Sequence, residues 1–277
     1  MTKPSIYDTL VSIYKIEVSS MKITKVLMGA FVALMVFGMA SCSKASNEFV
    51  LGLDDSFPPM GFRDDNNEIV GYDIDLAKEV ASRLGLKFRA QPISWSAKEQ
   101  ELNTGKIDCI WNGLSITPER LEALAFTKPY LNNAQVVIVR GDSGITSLAG
   151  MEGKVLGVQA GSSAADAVDE VPSFKNSLKQ IVDFNDNIMA LNDLEIGGLD
   201  GVAMDSVVAE YSLKVTGKPF IILADSLAPE QYGIAFKKDN TELRDKVQKT
   251  LEEMAADGTV AKISEKWFGS DISIIGK

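Results

Sequence analysis

The segment Gly113-Leu114-Ser115-Ile116-Thr117-Pro118-Glu119-Arg120 carries the signals of a helix start with a cation in its first turn. Thr117 suits the N-cap and Pro118 the first helical position, which leaves free backbone amides at the opening. A guanidinium there opposes the helix dipole, and a facing anion would relieve the opposition. A carboxylate could do so as the bidentate partner of Arg120. The competing reading pairs Arg120 at the surface with Glu119 or Glu122, and the residue types alone leave both standing. The chain contains no histidine, which removes the commonest general base, every Ser-His arrangement and the commonest zinc ligand. Neither a metal nor another cofactor is expected. With 38 acidic against 28 basic residues the formal charge is −10, so attraction to phosphate backbones is absent and no nucleic-acid partner is expected.

The elements that must position these groups alternate along the chain. Apolar runs at 49–53, 107–111, 155–158, 181–184 and 201–204 read as strands between helical stretches, the pattern of an α/β protein with a largely parallel sheet. Over 75–84, Leu76, Ala77, Val80, Ala81 and Leu84 make one apolar stripe, Glu79 and Arg83 pair on the wet face, and Gly85 ends the helix. The layout repeats after residue 138, so two lobes are expected in the 277 residues. Leu243, Val247, Leu251 and Met254 mark a late amphipathic helix, and a shorter one ends at Trp267-Phe268-Gly269; the pattern does not say which lobe they join.

The first residues read as an address. Lys22 and Lys25 precede an uncharged stretch from Val26 to Ala40, the layout of a secretory signal and short for a membrane span. Met39-Ala40-Ser41-Cys42 resembles the lipobox of bacterial lipoproteins. That makes 21–41 the signal, Cys42 the lipidated first residue, 42–47 a short tether and 1–20 an upstream extension, with Met21 the start. Removing 41 residues leaves 24 basic and 36 acidic residues, a charge of −12. A cleaved signal with an incidental cysteine, or an uncleaved anchor, are the alternatives. The other cysteine, Cys109, is expected as a buried thiol, so no disulfide framework is implied.

Taken with Gly71-Tyr72-Asp73-Ile74-Asp75-Leu76-Ala77, Gly105-Lys106-Ile107-Asp108 and Phe126-Thr127-Lys128-Pro129-Tyr130, the Gly113–Arg120 segment closely resembles the polar amino-acid branch of the periplasmic type II solute-binding proteins. The motifs stand in the family's order and cover nearly all of residues 49–269. The resemblance implies a two-lobed α/β fold with two hinge strands, near 136–140 and 231–236, and C-terminal helices that return to the first lobe. Lobe 1 would comprise 48–136 and 232–277, and lobe 2 would comprise 137–231.

Carried over position by position, the resemblance implies that Arg120 holds a ligand carboxylate while Ser115, the Gly113 carbonyl and Asp205 hold its ammonium. Ser162 and Ser163, in the turn after Gly161, would close on the carboxylate with backbone amides. Phe57 and Trp95 match positions whose rings sandwich the ligand side chain, and Asp54 matches the one that reads its far end. Asn112 joins this set at the pocket floor, where Trp111 and Asn112 replace the small residues of many relatives. Each has an ordinary alternative: core packing for Phe57 and Trp95, helix capping for Asp205, and, for a reach of Glu99 into the pocket, a solvated helix face.

The expected function is capture of a polar amino acid, of basic, glutamine or cystine type, by hinge closure. Delivery to the permease of an ABC importer would follow, by a monomer held outside the cytoplasm through lipid at Cys42. The acidity of Asp54, Asp55 and Glu99 leans toward a cationic or amide side chain. A rival of another class is a dehydratase-like enzyme acting on a small carboxylate, which needs a pocket acid of raised pKa. A sensory module, which expects an added signalling segment, is the third.

Overall fold

The computed structural model describes residues 47–277, and the expectations for the signal, the lipobox and Cys42 lie outside the described residues. In chain order the strands are β1 (Glu48–Leu53), β2 (Ser56–Phe57), β3 (Gly61–Arg63), β4 (Ile69–Val70), β5 (Lys87–Pro92), β6 (Cys109–Ile110) and β7 (Leu124–Phe126). They continue with β8 (Leu131–Arg140), β9 (Val155–Gln159), β10 (Gln180–Phe184), β11 (Gly201–Asp205), β12 (Phe220–Tyr232) and β13 (Ala235–Lys237). Two five-stranded sheets result, ordered β5-β1-β6-β13-β7 and β10-β9-β11-β8-β12, with β2-β3-β4 as a small third sheet.

In the first sheet β1 runs parallel to β5 and β6, and β13 runs antiparallel to β6 and β7. In the second, β9 runs parallel to β10 and β11, and β8 antiparallel to β11 and β12. The run Phe49 to Leu53 is buried on both faces, which is why β1 reads as continuously apolar rather than alternating. The sequence places a strand over 107–111, and only Cys109 and Ile110 are ladder-paired. The flanking backbone still bonds β1, through Asp108 N to Val50 O (2.8 Å) and Trp111 N to Gly52 O (3.3 Å).

The expected helix over 75–84 spans Tyr72–Arg83, with Ile74, Leu76, Ala77, Val80 and Ala81 buried and Arg83 paired with Glu79 at 2.7 Å. Gly85 follows at φ 69°, a left-handed turn that favours glycine. The late helices are Thr241–Ala256 and Thr259–Phe268, and both pack beside the first. Arg83 donates to Asp257 (2.7 Å), and Asp75 accepts from Lys266 (2.6 Å) and Trp267 (2.8 Å), so the chain's end joins the first sheet's side. Cys109 is buried as a free thiol.

Two strands carry the chain between the sheets. β8 and β12 pair along their length, from Leu131 opposite Tyr232 to Arg140 opposite Phe220, with register shifts near Ser226. The expected 136–140 segment lies within β8, whereas the expected 231–236 segment covers only the last two residues of β12 and runs on into β13, because the β8–β12 ladder is already complete at Tyr232.

Candidate functional site

The carboxyl ends of four strands meet. β1 ends beside Asp54, β6 runs into Asn112 and Gly113, β9 ends at Gln159 before the Gly161 turn, and β11 ends at Asp205. Carboxyl ends of parallel strands are where open α/β sheets place ligands, since loops and helix starts converge there. A small, nearly closed cavity lies among them. Its lining comprises Asp54, Phe57, Trp95, Asn112, Gly113, Ser115, Arg120, Ser162, Ser163 and Asp205, all ten expected from the sequence, together with Gln159.

The cationic end is built on the helix Pro118–Ala123. Thr117 caps it, its Oγ1 accepting from Arg120 N, with Pro118 in the first turn as the sequence indicates. The Arg120 side chain is buried and donates through Nη1 to the Ser115 carbonyl at 3.0 Å. Its nearest carboxylate is Asp166 rather than Glu119 or Glu122, at 4.0 Å and 60% exposed, a water-screened pair that leaves most of the guanidinium's donors uncommitted. Lys98 adds a second buried cation, its Nζ donating to the Gly161 carbonyl at 2.8 Å and lying 3.2 Å from Glu99. Burial, then the charge of Arg120, depresses the Lys98 pKa. Glu99 is therefore engaged with Lys98 and is not among the lining residues.

The anionic end centres on Asp205. The residue stands at the N-cap of the helix Ser206–Thr216, yet its side chain makes no capping bond. Instead Oδ1 accepts from Asn133 Nδ2 (2.7 Å), Tyr232 Oη (2.8 Å) and Gln135 Nε2 (2.9 Å), so the capping alternative does not hold. Burial, then the charge of Glu230, raises its pKa to about 6, against the lowering effect of those three donors. Ser115 Oγ and Ser163 Oγ lie 2.9 Å apart beside it.

A third wall combines Asp54 and the aromatics. Asp54 Oδ1 accepts from Ser56 N (2.9 Å) and Oδ2 from Gln159 Nε2 (2.7 Å), while its own N–H donates to Asn112 Oδ1 (3.0 Å). Burial lifts its pKa to about 6, opposed by those bonds and helped by Asp186 and Asp55. Asp55 itself turns to Arg63. Phe57 and Trp95 are both buried and both line the cavity, so core packing and a ligand-facing surface are here one placement. Trp111 lies fully buried outside the lining, its ring 6.4 Å from that of Tyr130, which leaves Asn112 as the floor. At Gly113, φ is 58° and a Cβ would stand 2.9 Å from Phe57 Cε1, so only glycine fits. Its N–H donates to buried Asp73 at 2.8 Å.

Sequence reasoning missed Gln159 and the surrounding Asn133, Gln135, Tyr232 and Glu230. Gln159 was detectable in principle: it ends a strand immediately before the Gly161 turn, as Asp54 follows the end of β1. The other four sit on or at the end of the crossing strands, where an alternating pattern gives polar residues no distinguishing mark.

Two sheets linked by paired crossing strands, with a polar cavity at their facing strand ends, define a two-lobed solute-binding protein. The chain belongs to the bacterial extracellular solute-binding proteins, family 3, whose model matches residues 49–270. It is 32% identical over 250 residues to ABC transporter arginine-binding protein 1 of Escherichia coli K12, covering 88% of this chain and 98% of that one. It is 26% identical over 265 residues to the L-cystine-binding protein TcyJ of the same strain, covering 89% and 96%. The fold matches a crystal structure of an ABC uptake transporter substrate-binding protein from Streptococcus pneumoniae with bound histidine. There the TM-score is 0.80 and the identity 37%, over 82% of this chain and 95% of that one.

Proposed function

We propose that this protein captures a polar amino acid between its lobes, outside the cytoplasm, and presents it to the permease of an ABC importer. The observation that carries the reading is the pair of opposed ends in one cavity. Arg120, with most of its donors uncommitted, stands at one end, and Asp205, with Ser115 and Ser163, at the other. A zwitterion brings one charge of each sign, and withdrawing it from water is tolerable only where each meets a partner. Amino-acid binding by relatives that match along most of this chain supports the same substrate class.

In this mechanism Arg120 takes the carboxylate, and Asp205, Ser115 and the Gly113 carbonyl take the ammonium. The side chain lies against Phe57 and Trp95 and ends at Asp54 and Gln159. Ser162 and Ser163 close over the carboxylate from the second sheet's side. Closure bends the paired crossings β8 and β12, and the contacts that join the two sides include Asp54 with Gln159, Lys98 with the Gly161 carbonyl, and Ser115 with Ser163 and Glu230. No bond of the ligand is made or broken. The protein acts as a monomer held to the membrane by lipid at Cys42.

Thermal unfolding of residues 43–277 with each standard amino acid and cystine tests the reading, since saturating ligand raises the midpoint in proportion to the logarithm of excess over Kd. A shift with one or a few polar amino acids is expected. No shift with any of them, after unfolding and refolding to strip carried-over ligand, overturns it.

A further inference from the structure

We propose that Glu230 is a positioning residue for the ammonium end of the site, fixing the Ser115 hydroxyl as an acceptor and placing a second negative charge behind Asp205. The inference rests on the amino-acid reading above. Glu230 lies on β12 opposite Asn133 and is not among the residues that line the cavity. Its Oε2 nevertheless gathers four donors: Ser115 Oγ at 2.6 Å, Gln135 Nε2 at 2.8 Å, Asn133 Nδ2 at 3.2 Å and Ser163 Oγ at 3.4 Å.

The Ser115 contact has the length of a hydroxyl donating to a carboxylate. A serine carries one proton, so a hydroxyl committed to Glu230 offers its lone pairs to the cavity, and lone pairs are what an ammonium needs. Glu230 and Asp205 also share donors, because Gln135 Nε2 and Asn133 Nδ2 bond both carboxylates. The groups facing this pair are Tyr232 on the end of β12, Asn133 and Gln135 on β8, Ser163 at the start of its helix, and Ser115. None of them is a cation. Arg120 meets the cluster only through the Ser115 carbonyl.

Two carboxylates served by neutral donors alone are short of positive charge, and an arriving ammonium supplies it. The proximity of Glu230 helps to hold Asp205 at a pKa of about 6, so binding in mild acid must also release a proton there. Glutamine at 230 would keep an acceptor for the four donors and remove the charge. Aspartate would keep the charge and lose the reach to Ser115.

The test is isothermal titration with the amino acid that most raises the unfolding midpoint, at about pH 7.5 and about pH 5, chosen to bracket the Asp205 titration. Wild type, Glu230→Gln, Glu230→Asp and Arg120→Ala are compared. Glu230→Gln should weaken binding about tenfold or more at the higher pH. Its further loss on acidification should be smaller than in wild type, because Asp205 no longer has the neighbour that raises it. Glu230→Asp should weaken binding while keeping the wild-type fall with pH. Wild-type affinity in either variant, or an equal loss at both pH values in Glu230→Gln, overturns the proposal. If Arg120→Ala alone weakens binding, the amino-acid reading stands and the role of Glu230 falls. A wild type that binds no amino acid removes both.

Discussion

Gln159 donates its side-chain amide to Asp54 at 2.7 Å, tying the carboxyl end of β9 to that of β1 across the cavity. One wall is thus shared between the two sheets, a carboxylate from the first and an amide from the second. A ligand side chain that reaches it meets an acceptor whose charge depends on pH, since burial holds Asp54 at about 6.

Ligand ranking should therefore change with pH. Near neutrality Asp54 is charged and favours a cationic side chain, and as pH falls through about 6 it takes a proton and that preference shrinks. Asp54→Asn should show the reduced preference at every pH. Comparing Kd for L-arginine and L-glutamine above and below that point checks it, and a wild-type preference indifferent to pH would remove Asp54 from side-chain recognition.

Arg120→Ala should weaken every amino-acid ligand by a similar factor, because all carry the carboxylate assigned to it. A hydrogen bond to a charged group contributes about 1.5–3 kcal/mol, or roughly ten- to a hundredfold in Kd. The unliganded protein should melt nearly as wild type, since the side chain's polar partners are one backbone carbonyl and an exposed carboxylate. Selective loss of one ligand would show that Arg120 reads side chains instead.

Acid should stabilise the unliganded fold. Asp73, fully buried with one oxygen serving Gly113 N and Tyr130 Oη, is raised to about 7 by burial, and Asp54 and Asp205 to about 6. Each therefore binds its proton more tightly folded than unfolded. Their stabilisation is fully present below the ordinary value of 3.8 and is lost as pH rises through the folded values. The unfolding midpoint should be higher near pH 5 than near pH 7.5, and Asp73→Asn, which keeps an acceptor for both donors, should flatten that difference. A midpoint that rises over this window would contradict the assignment.

Cys42→Ala should leave amino-acid binding intact while freeing the protein from membranes, because the pocket is formed wholly from residues 54 to 205. Fractionation of cells expressing each form measures it. Retention of a processed Cys42→Ala chain on the membrane would defeat the lipid anchor.

Much of the fold was legible because its signals are local. The stripe of Leu76, Ala77, Val80 and Ala81, the Thr117-Pro118 helix start and the continuous apolar run of β1 each report one element's burial, while Leu84, expected in the same stripe, is the half-buried C-cap. Arg120 stood out because its position is unfavourable without a partner. Asp205 did not stand out by its type, since a strand-end aspartate ordinarily caps the next helix. Only the tertiary approach of Asn133, Gln135 and Tyr232 turns it inward. Asp55 and Glu99 resemble Asp54 in the sequence, and Arg63 and Lys98 draw them into ion pairs that no local pattern announces.

The place of β13 in the first sheet bears on how the chain is made. β13 lies between β6 and β7, and β7 has no other strand neighbour, whereas every strand of the second sheet lies between residues 131 and 232. A chain emerging from its amino terminus can complete the second sheet while the first still lacks a central strand. Until Ala235–Lys237 arrives, the open edges of β6 and β7 present unpaired backbone that other chains could join. Truncation just before residue 235 should accordingly yield an aggregation-prone product.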